Sequence, residues 1–437
     1  MTKQTTGKRR LRIPPWLHAT CTQCGLCCRR GWVIHVSAKD RERLLAHDWA
    51  ASYPQMADQD LIVASGHAYR FAVDGQGRCR FLRPDGLCMQ HTDLGYKAKV
   101  LACRLYPVYF VHTTGGEVRV GAHFSCPAVV DAAGPPLHTA RSQLLPLLDQ
   151  YEAEHPLRPI DPAGVRWTAE RTIPWEVLDQ VEAALDDCFA RSEVPVIRRV
   201  LFGGHLVDAL DERLPAPGQR TDFAECVRFA RKRAEDLAFH GGLKRVQLGR
   251  TERLFLRLLV GLGSEMAVQG LLSELFWTRQ RARLRRLGLA AGYLWGRGAF
   301  TAGGRRGPWR GVKRVRAHPL PEEAEEPLTR YLRTRFAARA YFGQEGWGLG
   351  VLHGARVVLS LYAVTVYLAR MLCAAESEER GAEAPTSVSD GHVREALMLV
   401  DHAFGHMASL SLGPVRRVIA SVNRPGWAQR AALYASL

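Results

Sequence analysis

The residues best equipped for chemistry stand together near the amino terminus, in the run Cys21-Thr22-Gln23-Cys24-Gly25-Leu26-Cys27-Cys28. Three thiols at intervals of two residues can turn toward one point if the chain bends between them, and Gly25 supplies the freedom for that bend. Thiolates are the ligands of soft metals and of iron–sulfur clusters. The steps C-x2-C-x2-C also open bacterial ferredoxin motifs, whereas zinc ribbons present CxxC pairs far apart. The spacing therefore leans toward an iron–sulfur centre and leaves zinc open.

Cysteine usage extends the device. Of the 11 cysteines, eight precede residue 127: Cys21, Cys24, Cys27, Cys28, Cys79, Cys88, Cys103 and Cys126. In a reducing compartment such a dense set means metal ligands more often than disulfides. Eight thiolates suffice for two zinc sites of four each, or for one 4Fe-4S cubane with structural or redox thiols left over. Cys27 and Cys28 are adjacent, and neighbouring side chains diverge in most backbones, so one of them is expected to serve a second site. His35, His67, His91, His112 and His123 lie in the same region and could each replace a thiolate, but nothing in their spacing singles one out. Cys188, Cys226 and Cys373 each stand alone on an apolar helical pattern and read as buried thiols outside the site.

Turns have to bring the later thiols back to the first four. Cys79 and Cys88 flank Arg83-Pro84-Asp85-Gly86, a β-turn sequence with proline second and glycine fourth. Cys103 and Cys126 flank an expected hairpin. Leu105 to Thr113 and Glu117 to Phe124 are rich in β-branched and aromatic residues, and Gly115-Gly116 supplies the positive φ angles of a tight turn. A turn centred there would leave Cys103 and Cys126 near opposite positions at the open end of the hairpin.

From residue 138 the pattern becomes helical. Trp175 to Phe189, Ile197 to Leu210, Asp222 to Phe239, Glu252 to Leu287, Leu328 to Tyr341, Val351 to Cys373 and His392 to His406 all space apolar residues near 3.6. Thr221 and Ser389 are expected amino-terminal caps, and Gly241-Gly242 and Gly343 expected stops. The acidic stretch Ala374 to Ser389 reads as an exposed linker. The expected fold class is α+β. A small cysteine-rich, metal- or cluster-binding domain with short strands occupies residues 17–130, and a mainly α-helical domain follows over 138–437.

Taken together, CTQCGLCC, then Cys79-Arg80-Phe81-Leu82 with Cys88 beyond it, then Cys103-Arg104-Leu105-Tyr106-Pro107, resembles the zinc- or iron-chelating cysteine-cluster family, whose pattern runs CxxCxxCC, CxFL, C and CRxYP. It is similar in particular to the iron–sulfur flagellin lysine-N-methylases. Arg30 to Val36 is similar to the short strand that follows the cysteines in those proteins. Leu328 to Leu332 and Val393 to His406 are weaker echoes of their helical part. The resemblance covers about residues 20–127. It implies an iron–sulfur cluster, S-adenosylmethionine as cofactor and a protein lysine as methyl acceptor. Lys97 to Ala102 departs from the family, which usually carries Arg-Pro a few residues before the CRxYP cysteine. No CxxxCxxC radical motif and no glycine fingerprint after a strand occurs. No catalytic or cofactor-contacting residue is identified.

Bulk properties add limits. A chain of 437 residues has room for two or three domains. Its 47% hydrophobic and 24% charged residues are ordinary for a globular protein. The surplus of 60 Lys+Arg over 43 Asp+Glu, net +17, favours an anionic partner. Between Glu274 and Glu322 twelve Lys and Arg and no acid are interleaved with Trp277, Tyr293, Trp295 and Trp309. This basic segment, 277–318, suits nucleic acid or an anionic membrane surface, and a solvated basic face is the plainer reading. Gly303 to Gly307 within it is an expected mobile loop. Asp186-Asp187 and Glu322-Glu323 read as solvated charges rather than catalytic carboxylates. The amino terminus has no apolar run after its basic residues, so no secretory signal is expected and the expected location is cytoplasmic. Trp347 to Leu372 is the most apolar stretch, but it contains His353, Arg356 and several glycines. A buried amphipathic helix is expected there rather than a transmembrane one.

Overall fold

Two short sheets frame the amino-terminal third, as seen in a computed structural model that describes residues 10–66, 68–155, 160–215, 219, 221–264, 292–293, 295–381, 386–406, 419 and 423–437. Strands β1 (Arg10–Arg12), β2 (His35–Val36), β3 (Ile62–Ser65), β4 (Ala68–Phe71), β5 (Val108–His112) and β6 (Glu117–Ala122) pair in the orders β1-β6-β5 and β2-β4-β3. The expected hairpin is β5–β6, in antiparallel register from Val108↔Ala122 to His112↔Val118, with Gly115 and Gly116 both at positive φ in its turn. The strands are shorter than the propensity pattern suggests, because Leu101–Leu105 coils into a helical turn before β5 starts.

Each sheet feeds a different core. Val36, Leu44, Trp49, Leu61, Phe71, Phe81, Met89 and Val100 form a small one, against which Cys79 and Cys103 pack. Phe110, Val118 and Val120 belong instead to the large core shared with the helices. This is why β6 is buried on both faces from Val118 to Ala122.

The helices match the 3.6-residue pattern with shifted ends. They run Trp175–Phe189, Val196–Arg213, Phe223–Glu235, Arg250–Gly263, Glu322–Ala337, Val351–Arg380, Asp390–His406 and Trp427–Ser436. The rest of the expected Glu252–Leu287 helix lies outside the described residues, as do Trp277 and His67. The cap near residue 222 is Asp222, whose Oδ1 accepts from the Glu225 N–H at 3.0 Å, rather than Thr221. The expected linker from Ala374 is instead helix as far as Arg380, since Ala, Glu and Arg continue a helix readily. Val351–Arg380 is not amphipathic: its residues from Val351 to Ala375 are buried almost without interruption. By length and composition alone it could cross a membrane, and its most apolar 18-residue window is wholly enclosed by the rest of the chain.

Buried ions fasten the layers. Glu182 accepts from Arg119 on β6 at 2.9 Å, from Arg339 at 3.1 Å and from Tyr341 at 3.1 Å. Arg330 donates to the carbonyls of Val129 and Val130, which satisfies the end of the short Pro127–Val130 helix and joins it to the Glu322–Ala337 helix. Without such partners these charges would be costly to bury.

Candidate metal centre

The CTQCGLCC run folds as a bend followed by one helical turn. Gly25 has φ +66 and caps Leu26–Arg29, Cys28 N–H bonds Gly25 O at 3.1 Å, and Arg29 Nη1 bonds Cys24 O at 2.9 Å. A second strand of chain lies directly on this knot: Cys79 N–H donates to Cys28 O at 2.8 Å. The expected turn at Arg83 to Gly86 forms, with Gly86 N–H bonded to Arg83 O at 3.0 Å and Leu82 bridged to Cys88. Its tip touches the knot, for a β-carbon on Gly25 would stand 2.7 Å from Gly86 O. The glycine at 25 is thus required both for its backbone angle and for this approach.

All eight amino-terminal cysteines carry free thiols. Cys27 and Cys28 do not diverge to separate places: their sulfurs are 3.9 Å apart. A helical turn separates neighbouring side chains by about 100°, which still leaves two short thiols within reach of each other. Two thiolates bound ~2.3 Å from one tetrahedral ion stand ~3.8 Å apart, so this pair fits a shared metal. Cys79, Cys88 and Cys103 lie in the same electrostatic neighbourhood. Cys126 joins through Cys24 and Cys27, and Cys21 neighbours Lys99 and Tyr96. Cys21 and Cys24 are exposed, and Cys126 begins the Pro127–Val130 helix. Cys188, Cys226 and Cys373 are buried among the helices.

The electrostatics favour a thiolate at Cys27, while burial opposes one at Cys79, Cys103 and Cys126. The bond with Cys28 lowers the Cys27 thiol to about 6, helped by Lys99, while the same bond and burial push Cys28 far up. Burial raises Cys79 to about 12 and Cys126 to about 11. Lys99 opposes the rise at Cys79 and Cys103. Burial works against its ammonium, yet Cys88, Cys103, Cys21 and Cys27 together hold its pKa above the ordinary value. Spacing arguments passed over Lys99, although it falls in the very segment, Lys97 to Ala102, that departs from the family pattern.

The histidines divide. His35 is exposed, His91 packs near Tyr96 at 6.0 Å, His112 lies 3.8 Å from Glu152, and His123 enters a buried polar cluster with Asp401 and His406. In the basic segment Tyr293 and Trp309 are core residues and Trp295 is 67% exposed. The expected loop at Gly303 to Gly307 is a hairpin, Ala299–Ala302 paired with Arg305–Pro308, turning on Gly303 and Gly304 at positive φ.

That hairpin forms one wall of a cleft of ≈ 620 Å³ next to the knot. Leu26, Arg29 and Arg30 line it from the cysteine side, and Arg305, Arg394, Glu395 and Met398 line it from the other. Arg305 pairs with Glu395 at 3.3 Å and Arg394 with Asp131 at 2.7 Å. No curated protein and no solved structure matches the chain. Residues 20–122, the part that contains the knot, its covering turn and Lys99, match the model of the CxxCxxCC family, described as "Putative zinc- or iron-chelating domain".

Proposed function

We propose that Cys21, Cys24, Cys27, Cys28, Cys79, Cys88, Cys103 and Cys126 supply the ligands of an iron–sulfur centre, a 4Fe-4S cluster with the remaining thiols structural. We further propose that the chain uses S-adenosylmethionine to methylate a protein lysine. The metal part is supported by the chelating family and by the donor set itself. The methyl-transfer part is supported by the motif resemblance and by one observation above all, the cleft that borders the knot. Its volume suits a small-molecule ligand. Arginines for a carboxylate, carboxylates for an ammonium group, and Leu26 and Met398 for apolar surface all face it.

S-adenosylmethionine, when bound, supplies an electrophilic methyl group. The chain's part is to hold the acceptor amine uncharged and in line, since alignment alone lowers such barriers by several kcal/mol. Asp131 and Glu395 are the carboxylates lining the cleft that are able to take up the amine's proton.

The test is binding. Protein purified without oxygen should contain iron and sulfide, absorb in the visible, and bind S-adenosylmethionine by calorimetry. Met398→Glu should abolish that binding and leave the metal in place. Zinc without sulfide replaces the cluster by a zinc centre. A fully loaded chain that binds no S-adenosylmethionine removes the methylase reading and leaves the chelating domain with its second role, holding an acidic partner or nucleic acid through the basic segment.

A further inference from the structure

We infer that His123, Asp401 and His406 form a second metal site, mononuclear and for a divalent transition metal, built at the seam between the cysteine-rich part and the helices. It is independent of the methylase reading. Each residue offers one ligand atom, and these atoms all lie within 4.8 Å of one another. Nδ1 of His123 is 3.8 Å from Oδ2 of Asp401, and the two imidazole rings are 3.6 Å apart between centroids. Ligands bound at ~2.1 Å around one tetrahedral ion stand ~3.4 Å apart, so a contraction of at most about 1.4 Å in any pair completes the site.

The surroundings are those of a ligand set rather than of an ordinary core. Nδ1 of His123 is buried without a hydrogen-bond partner, an arrangement that wastes a polar atom unless something binds it. Asp401 is 1% exposed, and its Oδ2 accepts the Ser125 N–H at 2.8 Å. Such an outer bond is what orients a ligating carboxylate. Ser125 Oγ lies 2.8 Å from His406 Nε2, and Trp32 covers the His406 ring at 4.7 Å. Buried Arg335 balances the carboxylate charge from the Glu322–Ala337 helix.

A hydrolytic serine triad is the competing reading of Ser125, His406 and Asp401. It needs the carboxylate on the second nitrogen of the histidine that faces the serine. Asp401 instead bonds the backbone of Ser125, and no hydrogen bond joins it to His406 among the described residues. Two imidazoles and one carboxylate with positions left open are the donor set of zinc or iron(II) sites. Thiolate is absent from this set, which separates it chemically from the cysteine centre although His123 is only three residues from Cys126.

Cobalt(II) distinguishes the two centres. The full chain, purified with its thiolate centre loaded, is titrated with Co2+ and followed by absorbance and metal analysis. One further equivalent per chain is expected, with weak visible bands and no thiolate charge-transfer band. His406→Gln and Asp401→Asn should weaken that uptake at least tenfold, while His402→Gln, altered one residue from Asp401, should keep it. The proposal is overturned if the unmodified chain takes up no further equivalent, or if the added cobalt shows thiolate charge transfer. It is equally overturned if the two variants, folded by circular dichroism, bind cobalt as tightly as the parent.

Discussion

Trp32 donates its indole N–H to Nδ1 of His402 at 3.0 Å, across a separation of 370 residues. The same ring meets Tyr106 edge-on at 4.7 Å. A residue just after the cysteine knot therefore anchors the knot to the Asp390–His406 helix. Trp32→Phe keeps the ring contacts and loses the bond, and should cost about 1 kcal/mol in urea denaturation followed by circular dichroism. Trp32→Ala should cost about 3 kcal/mol. A Trp32→Phe variant as stable as the parent would mean that the bond contributes nothing.

Gly25 tests whether the covering turn shapes the metal centre. Alanine there pays about 1 kcal/mol for the left-handed backbone, and its β-carbon also meets the Gly86 carbonyl, a backbone atom that cannot swing aside. Gly25→Ala should lose most of the chain's metal while the helical part keeps its circular dichroism. Gly304→Ala, at a similar φ with open space around it, should leave metal content unchanged.

Glu182 and Asp179 both reach Arg119 and Arg339, but only Glu182 is buried with the two cations, Asp179 being 58% exposed. Burial raises the pKa of Glu182 although both guanidinium groups oppose the rise. Glu182→Ala removes the buried partner of both cations and leaves them the more exposed Asp179, with Glu117 beside Arg119, so it should cost about 2–3 kcal/mol by chemical denaturation, less than a fully stranded charge. An effect below about 1 kcal/mol would mean that water reaches the pair.

Local signals carried much of this structure in the sequence, and distant juxtapositions did not. CxxCxxCC, the Arg83 to Gly86 turn and the Gly115-Gly116 hairpin are each set within a few residues, so composition and spacing suffice to read them. Helical periodicity gave the helices but not their ends, where capping by Asp222 or continuation through Glu376 to Arg380 depends on single contacts. The cluster of His123, Asp401 and His406 needs residue 125 to meet residue 401, 276 positions away. Its one local trace is the run Asp401-His402 with His406 near the end of a helix. Divergence of adjacent side chains was a sound rule for Cys27 and Cys28, yet thiols are short enough to escape it at 3.9 Å.

Acid should loosen the packing of the last helices through Glu376. Its Oε2 lies 2.6 Å from Nε2 of His392, and that bond, with Arg380 and Arg305 nearby, holds the carboxyl below its ordinary range. A carboxyl lowered on folding binds its proton more readily in the unfolded chain, so its contribution is complete above about pH 4.3 and fades as the pH falls through the folded value. Glu376→Gln should therefore lower stability by about 1 kcal/mol at pH 7, and the gap to the parent should close toward pH 3. A gap independent of pH would assign the effect to packing.

Lys99 makes the sharpest claim about the metal centre because it is neither a ligand nor a core residue. It stands four residues before Cys103, and the thiols of Cys88, Cys103, Cys21 and Cys27 all stabilise its charge. A centre of four thiolates and one divalent ion carries net negative charge, and an ammonium group at its edge lowers the cost of burying it. Lys99→Met keeps most of the stem's volume and removes the charge, so it should weaken metal retention against a chelator by about 10–100-fold, the usual range for groups that support ligands without touching the ion. Lys99→Arg should restore most of the loss. Metal content that follows the stem's volume rather than its charge, equal in the parent and Lys99→Met, would make Lys99 a packing residue only.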